Sequence, residues 1–151
     1  MSEYGDFPKD FISRTLKNLD NYTGSFEVTN LINNCLGLII IPKQIMNGNI
    51  SAYKFDDKNS DYGITQKNIL YESNEDYSLT NVLRHLRNGL AHGRIEQKSK
   101  GKEIVGLRIR DKLNETSSEN FVIDFTIDEF RRFAISIATM FSNNSNTNSN
   151  S

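Results

Sequence analysis

Ser78-Leu79-Thr80-Asn81-Val82-Leu83-Arg84-His85-Leu86-Arg87-Asn88-Gly89-Leu90-Ala91-His92-Gly93 is the stretch on which the fold turns. Leu79, Val82, Leu83, Leu86 and Leu90 recur at i, i+3, i+4, i+7 and i+11, which is one apolar stripe of an α-helix. At roughly 100° per residue, Arg84, Asn88 and His92 form a row away from that stripe, with Arg87 at its edge. An ordinary solvated face mixes lysine with glutamate, yet this stretch contains no Lys, Asp or Glu. Arg, Asn and His in one row suit an anion better than they suit bulk water. His85 lies two turns before His92 and is expected on the same polar side, as a surface or interface hydrogen-bonder. About 10 Å of helical rise separates the two rings, so they cannot share a metal ion within one chain.

Before this helix, Phe11, Ile12, Leu16 and Leu19 stripe a first helix from about Pro8 to Asp20, ended by Asn21-Tyr22-Thr23-Gly24. A second starts near Ser25 as N-cap, with Glu27 in its first turn. It runs through Leu31, Ile32, Cys35, Leu36 and Ile39 to Pro42 and is apolar enough to be the central buried helix. Residues 43–77 are polar and weakly periodic, with room for a short helix around Gln66 to Leu70.

After the helix, Val105, Leu107 and Ile109 alternate with Gly106, Arg108 and Arg110. Later, Phe121, Ile123 and Phe125 alternate with Asn120, Val122 and Asp124. These are two half-buried strands joined across Asp111 to Glu119, with Asp124 placed to neutralise Arg108 or Arg110. Thr126-Ile127-Asp128-Glu129 is a capping box opening a last helix that carries Phe130, Phe133, Ile137 and Phe141. The stretch Ser142 to Ser151 holds only Ser, Asn and Thr and is expected to be a disordered tail.

At 151 residues, 36% apolar and 25% charged, the chain fits one soluble domain over residues 1–141. The longest apolar run is too short to span a bilayer, and the N-terminus lacks the order of a signal peptide, so a cytoplasmic protein with no membrane partner is expected. The single Cys35 reads as a small buried hydrophobe. The net charge of −1 speaks against a general polyelectrolyte binder, but it conceals an asymmetry. Between Arg84 and Lys112 stand nine Lys or Arg and three acids, so this segment carries +6 and the remainder −7. That local basic surface is the footprint a polyanion needs. Lys98, Lys100 and Lys102 fit either that surface or a flexible solvated loop. HExxH, CxxC, a Gly-rich phosphate loop and a Ser-His-Asp order are all missing, which sets aside metalloprotease, redox and nucleotide triphosphatase chemistry of those kinds.

Arg87-Asn88-Gly89-Leu90-Ala91-His92 resembles the signature of the HEPN superfamily, an Arg followed by a polar residue and then a His, with four to six residues between Arg and His; here there are four. The context is similar too: an apolar second helix ending in Leu38-Ile39-Ile40-Ile41-Pro42, the signature near the end of a third helix, and a last helix after a β excursion. The chain looks like the compact bacterial HEPN-type ribonucleases over roughly Phe7 to Phe141. The resemblance implies a mainly α fold, an up-and-down bundle of four to five helices with a β-hairpin inserted before the last. It implies RNA cleavage without metal or other cofactor, at a site assembled when two copies pair their third helices. Arg87, Asn88 and His92 then carry the catalysis, and Arg84 and Arg94 widen the RNA-binding track. A neutral imidazole takes the proton of a ribose 2′-OH, which attacks its own phosphodiester, while a guanidinium steadies the phosphoryl oxygens. The products are a 2′,3′-cyclic phosphate and a 5′-OH. A toxin or antiphage effector of this type needs restraint by an antitoxin or inhibitor. Arg94 stands where many relatives that pair with a nucleotidyltransferase carry a modified Tyr, so restraint by that route is not expected. The alternative is a non-catalytic HEPN module that binds nucleotide or RNA, or only dimerises, through the same cleft.

Overall fold

The structure, a computed structural model, describes residues 10, 13–18, 29–34, 37 and 52–148, with side chains described up to 140. Expectations for Ser25, Cys35, the run to Pro42 and the last three residues lie outside the described residues. Two compact units share the chain, one made of residues 1–49 with 134–151, the other of residues 50–133. In the first, residues 13–18 (α1) and 29–34 (α2) are helical, in line with the first two expected helices. Leu31 and Ile32 are half-buried, and Asn18 donates to Asn34 at 3.0 Å.

The second unit carries the site. Its chain passes through a 3-10 turn, Gln66–Asn68, into β1 (Ile69–Glu72), then α3 (Leu79–Ala91), β2 (Ile95–Lys100), β3 (Glu103–Lys112) and β4 (Glu119–Thr126). It ends in the first turns of α4 (Ile127–Asn148), a helix that continues into the stretch expected as a tail. The strands form one antiparallel sheet in the order β1-β4-β3-β2. The expected mainly α bundle with a single inserted hairpin is therefore corrected: the hairpin is real, but it is the centre of a four-stranded antiparallel sheet, so the chain has a substantial share of strand as well as helix.

The two unexpected strands have physical reasons to be hard to read. β2, Ile-Glu-Gln-Lys-Ser-Lys, is an edge strand exposed along nearly its whole length, so no apolar alternation is required of it. Lysines suit such an edge, and Lys98 pairs with Asp124 across the sheet, so this segment is a strand and not a flexible loop. In β1 the register shifts between Ile69 and Tyr71, which breaks the period of two. The helix expected near Gln66 is only the 3-10 turn, capped reciprocally by Thr65 and Asn68.

The hairpin follows its pattern. Leu107, Ile109, Phe121, Ile123 and Phe125 are buried on the inner face, with Arg108 opposite Asp124. Arg108 grips Asp124 with Nε at 2.6 Å and Nη2 at 2.8 Å. That fork and Lys98 hold the Asp124 carboxyl below the ordinary carboxylate range, and the hydrogen bond to Asp124 raises the Arg108 guanidinium. The inner face meets Leu79, Val82, Leu83 and Leu86 of α3 together with Phe130 and Phe133, all buried. The expected capping box forms, Glu129 N donating to Thr126 Oγ1 at 3.1 Å and Thr126 N to Glu129 Oε1 at 2.8 Å. α3 is seated close to the sheet: an ideal Cβ on Gly89 would lie 2.4 Å from the Arg110 carbonyl oxygen, so only glycine allows this approach.

Candidate active site

The end of α3 places the histidine. Ser78 caps its start, accepting from Asn81 N at 3.2 Å. His92 is the C-cap, and Gly93 follows at φ 66°, a left-handed conformation that glycine adopts without a Cβ clash. Gly93 N donates to Leu90 O at 3.1 Å and Arg94 N to Gly89 O at 2.8 Å, the paired closure of a Schellman motif. The chain turns there into β2, fixed by Arg110 N donating to Arg94 O at 3.0 Å. His92 is left exposed at the rim of a cavity of about 300 Å³, also lined by Arg94, Arg110, Lys112, Glu115 and Glu119.

One turn back, Arg87 is half-buried, and burial lowers its guanidinium to about 10, so it remains a cation at neutral pH, partly stripped of water. An anion meets such a charge at a lower effective dielectric than at the open surface. Asn88 is exposed, its Nδ2 at 3.5 Å from Asp111 Oδ2. Arg84 is exposed and donates through Nη2 to Asn81 Oδ1 at 2.7 Å. Arg94 spends Nη1 on Asp111 Oδ1 at 3.3 Å and Nη2 on Glu115 Oε1 at 2.8 Å. His92 and Arg94 thus share the cavity, whereas Arg84 and Arg87 are not among its lining residues.

Two groups escape the sequence reading. His85, expected on the polar surface, is 1% exposed. At helical steps it falls between Val82, Leu86 and Gly89, the side that meets the sheet, and its ring stacks on Phe121 at 4.5 Å and 5°. Its Nδ1 lies 2.8 Å from Asp111 Oδ2, and its Nε2 3.2 Å from Arg84 Nη2 and 3.4 Å from Glu72 Oε1. Asp111, 2% exposed, is the second missed group. It continues the alternation Leu107, Ile109, Asp111, and this was the signal for an inward side chain. Asp111 receives His85, Arg94 and Asn88, while Glu72 receives Asn74 N, Asp76 N and Asn81 Nδ2, so both buried carboxylates have several donors. Among the described residues, no group of three His, Cys, Asp or Glu is arranged to hold a metal ion. No helix among them is long and apolar enough to cross a membrane.

Compared with known proteins, the chain matches the family model HEPN pEK499 p136 over residues 1–148. No curated protein and no solved structure matches it.

Proposed function

Since the chain belongs to the HEPN pEK499 p136 family, we propose that it is an endoribonuclease that cleaves RNA without a metal ion, through Arg87, Asn88 and His92. The observation that carries this reading is the exposed imidazole of His92, set at the helix terminus by Gly93 and opening on a cavity lined by Arg94, Arg110 and Lys112 with their glutamate partners. His92 takes the proton of a ribose 2′-OH, and that oxygen attacks the adjacent phosphorus. The P–O5′ bond breaks, leaving a 2′,3′-cyclic phosphate, and the departing O5′ receives a proton. The nucleophile belongs to the substrate, so no metal-bound water is required. Arg87 steadies the charge that grows on the phosphoryl oxygens, and its partial desolvation strengthens that contact. Asn88 orients the phosphate or base from the next position on the helix.

Arg87 and His92 project about 140° apart on one helix. A pair of chains joined through α3 brings the Arg87 of one copy toward the His92 of the other, which is why a homodimer belongs to this reading. Such an enzyme acts in the cytoplasm as a toxin or antiphage effector, restrained by an antitoxin or inhibitor. The alternative, a module that only binds RNA or nucleotide, draws on the glutamates that already occupy the cations around His92.

The test is incubation of the full chain with total RNA and with tRNA in excess EDTA, beside His92→Ala and Arg87→Ala, with fragment ends characterised. Cyclic-phosphate ends that vanish in both variants, at unchanged oligomeric state, are the expected result. Retained RNA binding without cleavage would overturn the nuclease and leave the binding module.

A further inference from the structure

We infer that the cavity beside His92 is a second phosphate subsite, formed by Arg94, Arg110 and Lys112, and that Glu115 occupies it when RNA is absent. This rests on the reading of the chain as an RNA-cleaving enzyme, and it adds two strand residues to the surface that meets the substrate.

The cations here are held differently on their two sides. Arg94 is anchored from within, its Nη1 at 3.3 Å from the buried Asp111 and 3.4 Å from Lys112 O. Its Nη2 faces Glu115, 2.8 Å away, whose side chain is 78% exposed. Lys112 Nζ lies 3.3 Å from the Glu115 carbonyl and 3.6 Å from Oε2 of the same residue. Arg110 Nη1 meets Glu119 at 2.9 Å, and its Nη2 meets Glu96 at 3.2 Å, both exposed carboxylates. The guanidinium of Arg94 is thus oriented by one partner that water cannot reach and occupied by another that water already surrounds.

The Nη2 donor that meets a carboxylate oxygen also suits a phosphate oxygen, and Arg94, held by Asp111 through Nη1, needs little reordering to exchange one for the other. Exposed ion pairs contribute little and are screened by salt, so Glu115 is a weak competitor. It is nevertheless ionised, because the Arg94 hydrogen bond and the charge of Lys112 hold its carboxyl below the usual range. RNA brings a phosphate at every nucleotide, and its binding gains from release of counterions that a single glutamate does not carry. Glu115 sits beyond β3, between Asn114 and Thr116, and no strand pairing fixes it. Its departure leaves the sheet intact. The arrangement explains why a segment rich in Lys and Arg produces no open basic face around His92: three cations there face three glutamates.

The probe is a fluorescein-labelled single-stranded RNA with 2′-O-methyl groups at every position, which has no 2′-OH with which to be cleaved. Its anisotropy is followed against the full chain at several salt concentrations, with folding checked by circular dichroism. Glu115→Gln is expected to tighten binding about 3- to 10-fold at low salt and to steepen the salt dependence. Lys112→Gln is expected to weaken binding and to flatten the slope of log K against log salt by about 0.7. Glu103→Gln, an exposed acid at the far end of β3, controls for net charge. Binding that is unchanged or weaker in Glu115→Gln overturns the subsite, as does equal tightening by Glu103→Gln or no binding by any form. Cleavage of unmodified RNA is assayed in parallel. Tighter binding with no cleavage by any form keeps the subsite and overturns the nuclease, whereas cleavage with binding indifferent to Glu115 does the reverse.

Discussion

Helix α3 carries both histidines of the chain, and its flank and its end treat them in opposite ways. At the flank, His85 is sealed between Phe121, Asp111, Glu72 and Arg84. At the end, His92 faces a cavity whose cations are met by exposed glutamates. The same ring is a clamp in one place and is open to a ligand in the other. The difference lies in replaceability. A buried carboxylate with several donors cannot be exchanged without loss of the fold, while an exposed one can be exchanged for any anion.

The comparison breaks most visibly at the open end. His92→Ala should cut RNA cleavage by about 10²- to 10⁴-fold and shift stability by no more than about 0.5 kcal/mol, read from initial rates and a urea midpoint. A large loss of stability there would mean that His92 is a second clamp. At the flank the order reverses: Asp111→Ala strands His85 and Arg94 and should cost about 3–5 kcal/mol in urea unfolding. Leucine at both 85 and 111 should restore only the part of that loss that belongs to the stranded His85, because Arg94 still lacks its inner carboxylate. Between the two regions, Gly89→Ala drives a methyl into the Arg110 carbonyl and should cost about 1–3 kcal/mol, with cleavage falling further than the stability change alone explains. The smallest effect lies on the outer face of the sheet. The folded-state carboxyl of Asp124 is depressed by Arg108 and then Lys98, so its contribution is present above the unfolded value and lost as pH falls through the folded one. A thermal melting series should therefore decline below about pH 4, and Asp124→Asn should flatten that decline.

The sequence carries much of this in local signals. The stripe from Leu79 to Leu90, the Ser78 cap and the Thr126 and Glu129 box each lie within a few residues, and each forms. The alternation around Ile109 and Ile123 gives the central pair of strands, and the Arg108–Asp124 pairing follows from it. β1 and β2 leave weaker traces, because a register shift interrupts one and the other is an edge exposed to solvent. That is how a sheet of four strands reads as one hairpin. At the site, the helical period and the stop at Gly93 suffice to put Asn88 and His92 outside and Arg87 at the margin. His85 is misplaced because one polar residue beside Arg84 resembles a continuation of the polar row. Glu115 could not be foreseen at all: its partner Arg94 lies 21 residues away, and only the folded hairpin brings them together.

Gly89 sits inside the signature, between Asn88 and His92, at the point where the helix rests on the backbone of Arg110. Arg110 is also a wall of the His92 cavity. The missing side chain at position 89 therefore sets a height: it determines how far above the sheet the helix end, and with it the imidazole, is carried. A chain with alanine there would keep every charged and titrating group of the motif and yet hold the imidazole off the floor of the cavity, like a key cut correctly and inserted a notch too high.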